Sequence, residues 1–288
     1  MRRISNSIAL AKESWRVLQS DKELLVLPVI SGIASLIVAA TFAVPLFLTS
    51  SSDELTIVSY IVLFVMYVVL AYVTIFFNAA LVSAAHERIG GGDPTIGSAL
   101  AGAASRAGKI LPWAIVSATV STILRAIEER AGFVGQLVAG LAGMAWAVVT
   151  FLVLPIIVIE GIGVGDAIKK SGRLFKETWG ENLAAQVGFG LLGFLATLPG
   201  VVVIVLAALS GNGGVLGAGI VVGIVWIILV AVLIAALSVI FQTALYHFAV
   251  DGSLPAGSFS QTTMAAAFAP KKGRSGGPGG FTGGGFGG

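Results

Sequence analysis

Long apolar runs with almost no charge dictate the surroundings in which this chain can fold. Six of them lie at about 24–48, 55–85, 110–124, 133–159, 183–209 and 215–250. A helix needs roughly 20 apolar residues to cross about 30 Å of hydrocarbon, and water cannot solvate a surface of that kind. The third run, of about 15 residues, is short for a span, but Lys109 and Arg125 at its ends can snorkel toward the two surfaces. The composition agrees: 57% of residues are hydrophobic and 11% charged, against roughly 25% charged in a soluble domain. The reading is an all-α, polytopic membrane helical bundle with six transmembrane helices.

The basic residues give an orientation. Arg2, Arg3, Lys12, Arg16 and Lys22 precede the first run, and Arg88, Arg106 and Lys109 lie between the second and third. Lys169, Lys170, Arg173 and Lys176 lie between the fourth and fifth, and Lys271, Lys272 and Arg274 follow the sixth. Only Arg125 and Arg130 are left for the other side. The positive-inside rule then places both termini in the cytoplasm of a bacterial or archaeal cell, with the chain in its cytoplasmic membrane. A cleavable signal peptide does not fit, because mixed charges from Lys12 to Glu23 precede the first apolar run. A formal net charge of +3 does not imply nucleic acid.

Amphipathic segments alternate with the runs. Ile4, Ile8, Ala11, Trp15 and Leu18 mark one face of a helix over 4–20, and Ile168, Gly172, Phe175 and Trp179 do the same over 166–182. A weaker version runs over 94–109 through Ile96, Leu100, Ala103 and Ala107. Such helices lie on a membrane surface. Each precedes two runs, so the chain reads as three repeats of surface helix, span, span, at about 1–86, 87–160 and 161–250. The ends of the second spans overlay: Phe77-Asn-Ala-Ala-Leu81 leads to Glu87, Phe151-Leu-Val-Leu-Pro155 to Glu160, and Phe241-Gln-Thr-Ala-Leu245 to Asp251. The membrane domain is expected over 1–250. A cytoplasmic tail follows over 251–288, disordered after about 270, where glycine dominates. Lys271, Lys272 and Arg274 can hold that tail to anionic lipid at about 1 kcal/mol each.

No motif carries a reaction. Gly90-Gly-Gly92-Asp93 and Gly163-Val-Gly165-Asp166 match the Gly-x-Gly-Asp string of intramembrane aspartyl proteases, but that chemistry needs two aspartates at membrane depth sharing a proton. Here both aspartates precede helices and read as N-caps, with Pro94 at a first helical position. His86-Glu87 lacks the second histidine of a zinc-protease motif, and Gly102 to Lys109 has the wrong spacing for a phosphate loop. With no cysteine, thiolate chemistry, disulfides and cysteine-ligated metals are excluded. The expectation is a protein that is not an enzyme and holds no cofactor.

Asn78, Gln136, Gln186, Gln242 and His247 are the polar residues within the runs. They hydrogen-bond between helices or, in a transporter, Gln186, Gln242 and His247 line a polar path. Pro28, Pro45 and Pro112 lie near helix ends, whereas Pro155 and Pro199 are placed as hinges. Gly213, Gly217, Gly219 and Gly223 offer close helix contact within the bundle or in a homo-oligomer. Trp15, Trp113 and Trp179 fit interfacial anchors, and Trp146 and Trp226 fit deeper positions.

The stretch Ser14-Trp-Arg-Val-Leu-Gln-Ser-Asp-Lys-Glu-Leu-Leu-Val-Leu-Pro28, together with Ala244-Leu-Tyr-His-Phe-Ala249, Gly252, Pro255 and Ala267-Phe-Ala-Pro-Lys271, resembles an uncharacterised family of bacterial and archaeal multi-pass membrane proteins. The resemblance implies a six-span domain and no activity. The layout is also similar to the membrane domain of some glycerophosphodiester phosphodiesterases. Two functions follow as expectations: a non-enzymatic protein that organises membrane lipids or partner proteins through its basic surface helices, or a transporter for a small or lipidic solute.

Overall fold

The computed structural model describes residues 14–16, 18–19, 21–51, 54–130, 132–179 and 184–252, and the chain is all-α. Among the described residues nine helices follow in order: α1 Val26–Thr49, α2 Ile57–Ile89, α3 Ile96–Ser105, α4 Ala107–Arg130, α5 Gly132–Thr150, α6 Val153–Glu160, α7 Val164–Trp179, α8 Ala184–Leu209 and α9 Gly213–Asp251. A two-residue antiparallel ladder, Ser50–Ser51 with Glu54–Leu55, joins α1 to α2. Residues 1–13, which hold most of the helix expected over 4–20, lie outside the described residues, as do 180–183 and the tail from 253 onward.

Among the described residues five stretches are long and apolar enough to cross a membrane: Val26–Leu48, Ile57–Ile89, Ala107–Arg130, Gly135–Glu160 and Gly213–Asp251. The described apolar part of α8, Gly193–Leu209, is shorter, although α8 as a whole has 26 residues. Six threonine hydroxyls inside these helices are satisfied by their own backbone, as suits hydrocarbon. Thr41, Thr74, Thr119, Thr122, Thr150 and Thr243 each donate to the carbonyl four residues back, at 2.7–2.9 Å.

The caps explain where several helices begin and end. Thr56 accepts from Ser59 N–H at 3.2 Å and starts α2, and Asn212 accepts from Gly214 and Val215 N–H to start α9. α6 and α9 end on Gly161 and Gly252, whose φ of 64° and 67° suits glycine. The sequence reading of Asp93 and Asp166 as N-caps is corrected. α3 is capped by Thr95, which exchanges hydrogen bonds with Ser98 in a capping box. Asp166 lies inside the first turn of α7, where its charge still favours the helix dipole.

Helices pair as α1 with α2, α4 with α5 and α8 with α9, and α2 packs on α1, α3, α4, α6 and α9. The hydrophobic core sits at one end of this arrangement. It joins Leu18, Leu24 and Leu27 to Ala79–Ile89, Leu152–Val158 and Ala236–Tyr246, with Ala99, Ala103, Ile110 and Trp113 closing it. The three segments overlaid in the sequence thus meet in one core. Away from that end, α2 has no buried residue between Ser59 and Ala79, and α9 none between Gly223 and Ala236. Those stretches turn exposed leucine, isoleucine, valine and phenylalanine outward, surfaces that lipid tails solvate.

Three further readings change. α3 and α7 do not lay their apolar faces in lipid; both pack on the protein. Ala99 and Ala103 of α3 are buried, and Gly102 lies so close to Ser83 of α2 that a Cβ there would collide with its hydroxyl. On α7, Ala167 and Ser171 are buried, and Ile168, Leu174 and Phe175 pack against the core. Trp113, read as an interfacial anchor, is buried instead, its ring 6.1 Å from that of Trp146.

The two hinge prolines also differ. Pro155 has no N–H for the carbonyl of Phe151 and crowds it, and the helix is interrupted at 151–152 between α5 and α6. Pro199 lies within an unbroken α8. At the interruption the Leu152 N–H donates to Ser171 Oγ of α7 at 3.2 Å, with both residues fully buried. Ser171→Ala leaves that N–H without an acceptor and is expected to cost about 1–3 kcal/mol. A thermal melt in nanodiscs reads the loss; an unchanged melt would mean the broken helix does not depend on α7.

Candidate functional site

The ends of α2, α6 and α9 carry a layer of ionisable groups directly against the apolar core, and most of these groups lie beside a partner from another element. Asp21, only 7% exposed, precedes the 3-10 turn Lys22–Leu25 that enters α1, and takes a two-pronged contact from Arg88 near the end of α2. The same guanidinium reaches Asp93 at 2.7 Å. Glu87 accepts from Ser98 Oγ of α3 at 3.0 Å. These contacts tie the start of α1 and the body of α3 to the last turn of α2.

A second cluster surrounds α6. Glu160 accepts from the Tyr246 hydroxyl of α9 at 2.5 Å and from Lys170 Nζ of α7 at 2.7 Å. Arg106 Nε donates to the Val158 carbonyl at 3.1 Å, and Lys109 donates to the Gly161 carbonyl. Cations at a helix C-terminus satisfy carbonyls that have no partner in the helix and oppose the negative end of its dipole. Gly161 is also where the Arg106 guanidinium comes closest, 2.6 Å from where a Cβ would stand. A short helix that proline has cut from α5 is therefore fastened at both ends, by Ser171 at its start and by two cations at its finish.

The third cluster contains both histidines of the chain. His86 Nδ1 and His247 Nε2 are 2.8 Å apart, and His247 Nδ1 is 3.2 Å from Asp251 Oδ2. The imidazole planes lie within 4° of parallel with centroids 5.0 Å apart, which is compatible with a hydrogen bond between ring edges. The Tyr246 ring stands edge-on to that of His247 at 5.6 Å, so the second and third clusters touch. Among the described residues no group of three histidine, aspartate or glutamate side chains is placed to hold a metal ion.

The residues proposed for a polar path are dispersed. His247 is engaged by His86 and Asp251. Gln242 is half-buried on α9 and Asn78 half-buried on α2, whereas Gln136 is exposed on α5. Gln186 belongs to the first turn of α8, and its side chain lies outside the described residues. Of the glycine stripe, Gly219 and Gly223 face α8 closely, while Gly213 and Gly217 have open space around them. Trp226 donates from Nε1 to the Ala196 carbonyl of α8 at 2.9 Å. The sequence reading missed His86 as a partner for His247, and the only signal for it was that these are the chain's two histidines, each close to the end of a long apolar run.

No curated protein matches the chain in sequence, so its likeness in layout to glycerophosphodiester phosphodiesterase membrane domains has no sequence match behind it. Residues 57–256, well over half of the chain, match the model of a family of unknown function (DUF6159). The match takes in α2 through α9 and all three polar clusters except Asp21, and the chain belongs to this family.

Proposed function

We propose that this protein is a non-enzymatic scaffold of the bacterial or archaeal cytoplasmic membrane that organises anionic lipid at the inner leaflet. The polar layer then lies on the cytoplasmic side, and the hairpins α1–α2, α4–α5 and α8–α9 form three units that cross the bilayer twice each. The observation that carries the reading is the two-faced packing of α7. Its apolar side is taken up by the core, which turns Lys169, Arg173 and Lys176, all exposed and one helical turn apart, away from the protein. Three aligned cations with no ion pair among the described residues suit phosphate headgroups, each contributing about 1 kcal/mol near an anionic surface. Against an enzymatic reading stands the pairing within the layer: its carboxylates, Asp21, Glu87, Glu160 and Asp251, hold positions in the fold.

In nanodiscs of mixed zwitterionic and anionic phospholipid, native mass spectrometry after gentle extraction is expected to find the protein enriched in anionic lipid. The triple variant Lys169→Gln/Arg173→Gln/Lys176→Gln should lose most of that enrichment. Equal lipid complements in the two proteins would remove the reading.

The interruption at 151–152 favours a second reading, since transporters build their sites from broken helices. Under it Pro155 is a hinge, and Gln242, Gln186 and His247 belong to a solute path. Solute flux into proteoliposomes that disappears in Gln242→Leu would replace the scaffold with a transporter.

A further inference from the structure

We propose that His86 and His247 form a proton-operated latch between the ends of α2 and α9, one that stays closed with up to one proton bound and opens with the second. With both rings neutral and Asp251 ionised, one arrangement of hydrogens makes both contacts. Asp251 accepts from His247 Nδ1–H, which leaves His247 Nε2 with its lone pair facing His86 Nδ1 at 2.8 Å. His86 must therefore donate from Nδ1, and its own Nε2 is left as the open acceptor of the pair. A proton arriving there keeps the Nδ1–H donor and gives it a positive charge, so the bond between the helices becomes charge-assisted and shorter. A second proton has only His247 Nε2 to go to. Both rings then present N–H groups along one line, the acceptor is gone, and two cations face each other.

His86 is exposed and the side chain of His247 is 14% exposed, so protons reach the pair from water through His86. Among the described residues the surroundings assign the switch to these two rings. On α9, Asp251 steadies the first positive charge, and Tyr246 is committed to Glu160 of α6, whose charge Lys170 of α7 opposes. On α2, Glu87 is held by Ser98 of α3, and Arg88 by Asp21 ahead of α1. Arg106 and Lys109 at the start of α4 are bound to carbonyls of α6 and the residue after it. α1 and α8 contribute no ionisable residue. Histidine is the side chain that ordinarily titrates near neutrality, and His86 and His247 are the two in the chain.

The test uses the full-length protein in nanodiscs. Because the chain has no native cysteine, Gly90→Cys and Val250→Cys give two unique spin-label positions at the ends of the two helices. From about pH 8 to about pH 5, either side of the ordinary imidazole range, the label distance is expected to hold through a first step and lengthen at a second. Nitrogen-15 spectra of the histidine rings in the unlabelled wild type should show two separate proton uptakes, the second coinciding with loss of the contact. His86→Gln, whose amide turns to donate or to accept but takes up no proton, should keep the short distance throughout. A distance independent of pH in the wild type, a single simultaneous titration of both rings, or a lengthening that survives in His86→Gln would each overturn the latch.

Discussion

Replacing Arg88 with methionine is expected to destabilise the protein by about 3 kcal/mol, the largest loss from any single side chain in the polar layer. The substitution leaves the Asp21 carboxylate, 7% exposed, without the cation that it faces. Removing one partner of a buried pair costs about 3–5 kcal/mol, because a charge stays behind in a medium that cannot solvate it. The lower end applies here, since Arg88 is 26% exposed and water reaches part of the pair. The double variant Asp21→Asn/Arg88→Met removes both charges and should recover most of the loss. Unfolding of the four proteins of this cycle by heat in nanodiscs reads the coupling. An Arg88→Met protein as stable as the wild type would show that the contact orders α1 without holding it.

Gly223→Leu should separate α8 from α9. The two backbones approach closely where Gly223 meets Gly200: a Cβ on Gly223 would stand 2.7 Å from the Gly200 carbonyl oxygen and would collide with Ile204, and one on Gly200 would stand 2.9 Å from the Gly223 carbonyl oxygen. Backbone cannot move aside as a flexible side chain does. Overpacking of this kind costs about 1–3 kcal/mol, and more where the neighbour is backbone. Gly217 lies further up the same helix with open space around it, and Gly217→Leu should change stability by no more than about 0.5 kcal/mol. Thermal unfolding of the two variants side by side separates helix packing from any general effect of losing a glycine. Equal losses would place the cause in backbone freedom.

These two sites show what the sequence made legible. The Gly213–Gly223 stripe is visible as small residues at helical spacing, but spacing alone does not say which glycines face a partner, because that depends on where α8 crosses. The apolar run at 110–124 stops at Arg125, yet α4 continues to Arg130, since arginine and glutamate are good helix formers once the helix has left the hydrocarbon. The periodicity over 166–182 gave an amphipathic helix and could not tell which medium would cover its apolar face. The protein core covers it. Asp93 looked like a cap by its place beside Pro94, but Thr95 has Ser98 three residues on and makes two reciprocal bonds. The contact between His86 and His247 spans 161 residues, and no local pattern announces a pair that only the packing of α2 on α9 creates.

α9 is a single helix of 39 residues, about 58 Å long at 1.5 Å per residue, whereas the hydrocarbon of a bilayer is about 30 Å thick. Roughly half of it therefore has no lipid tail to stand in, and α2 with 33 residues shares the surplus. Since Tyr246, His247 and Asp251 are fixed to the last turns of this rod, a thicker membrane draws them toward its headgroups and a thinner one leaves them standing in water. In the membrane placement proposed above, bilayer depth then sets the hydration of the charged end.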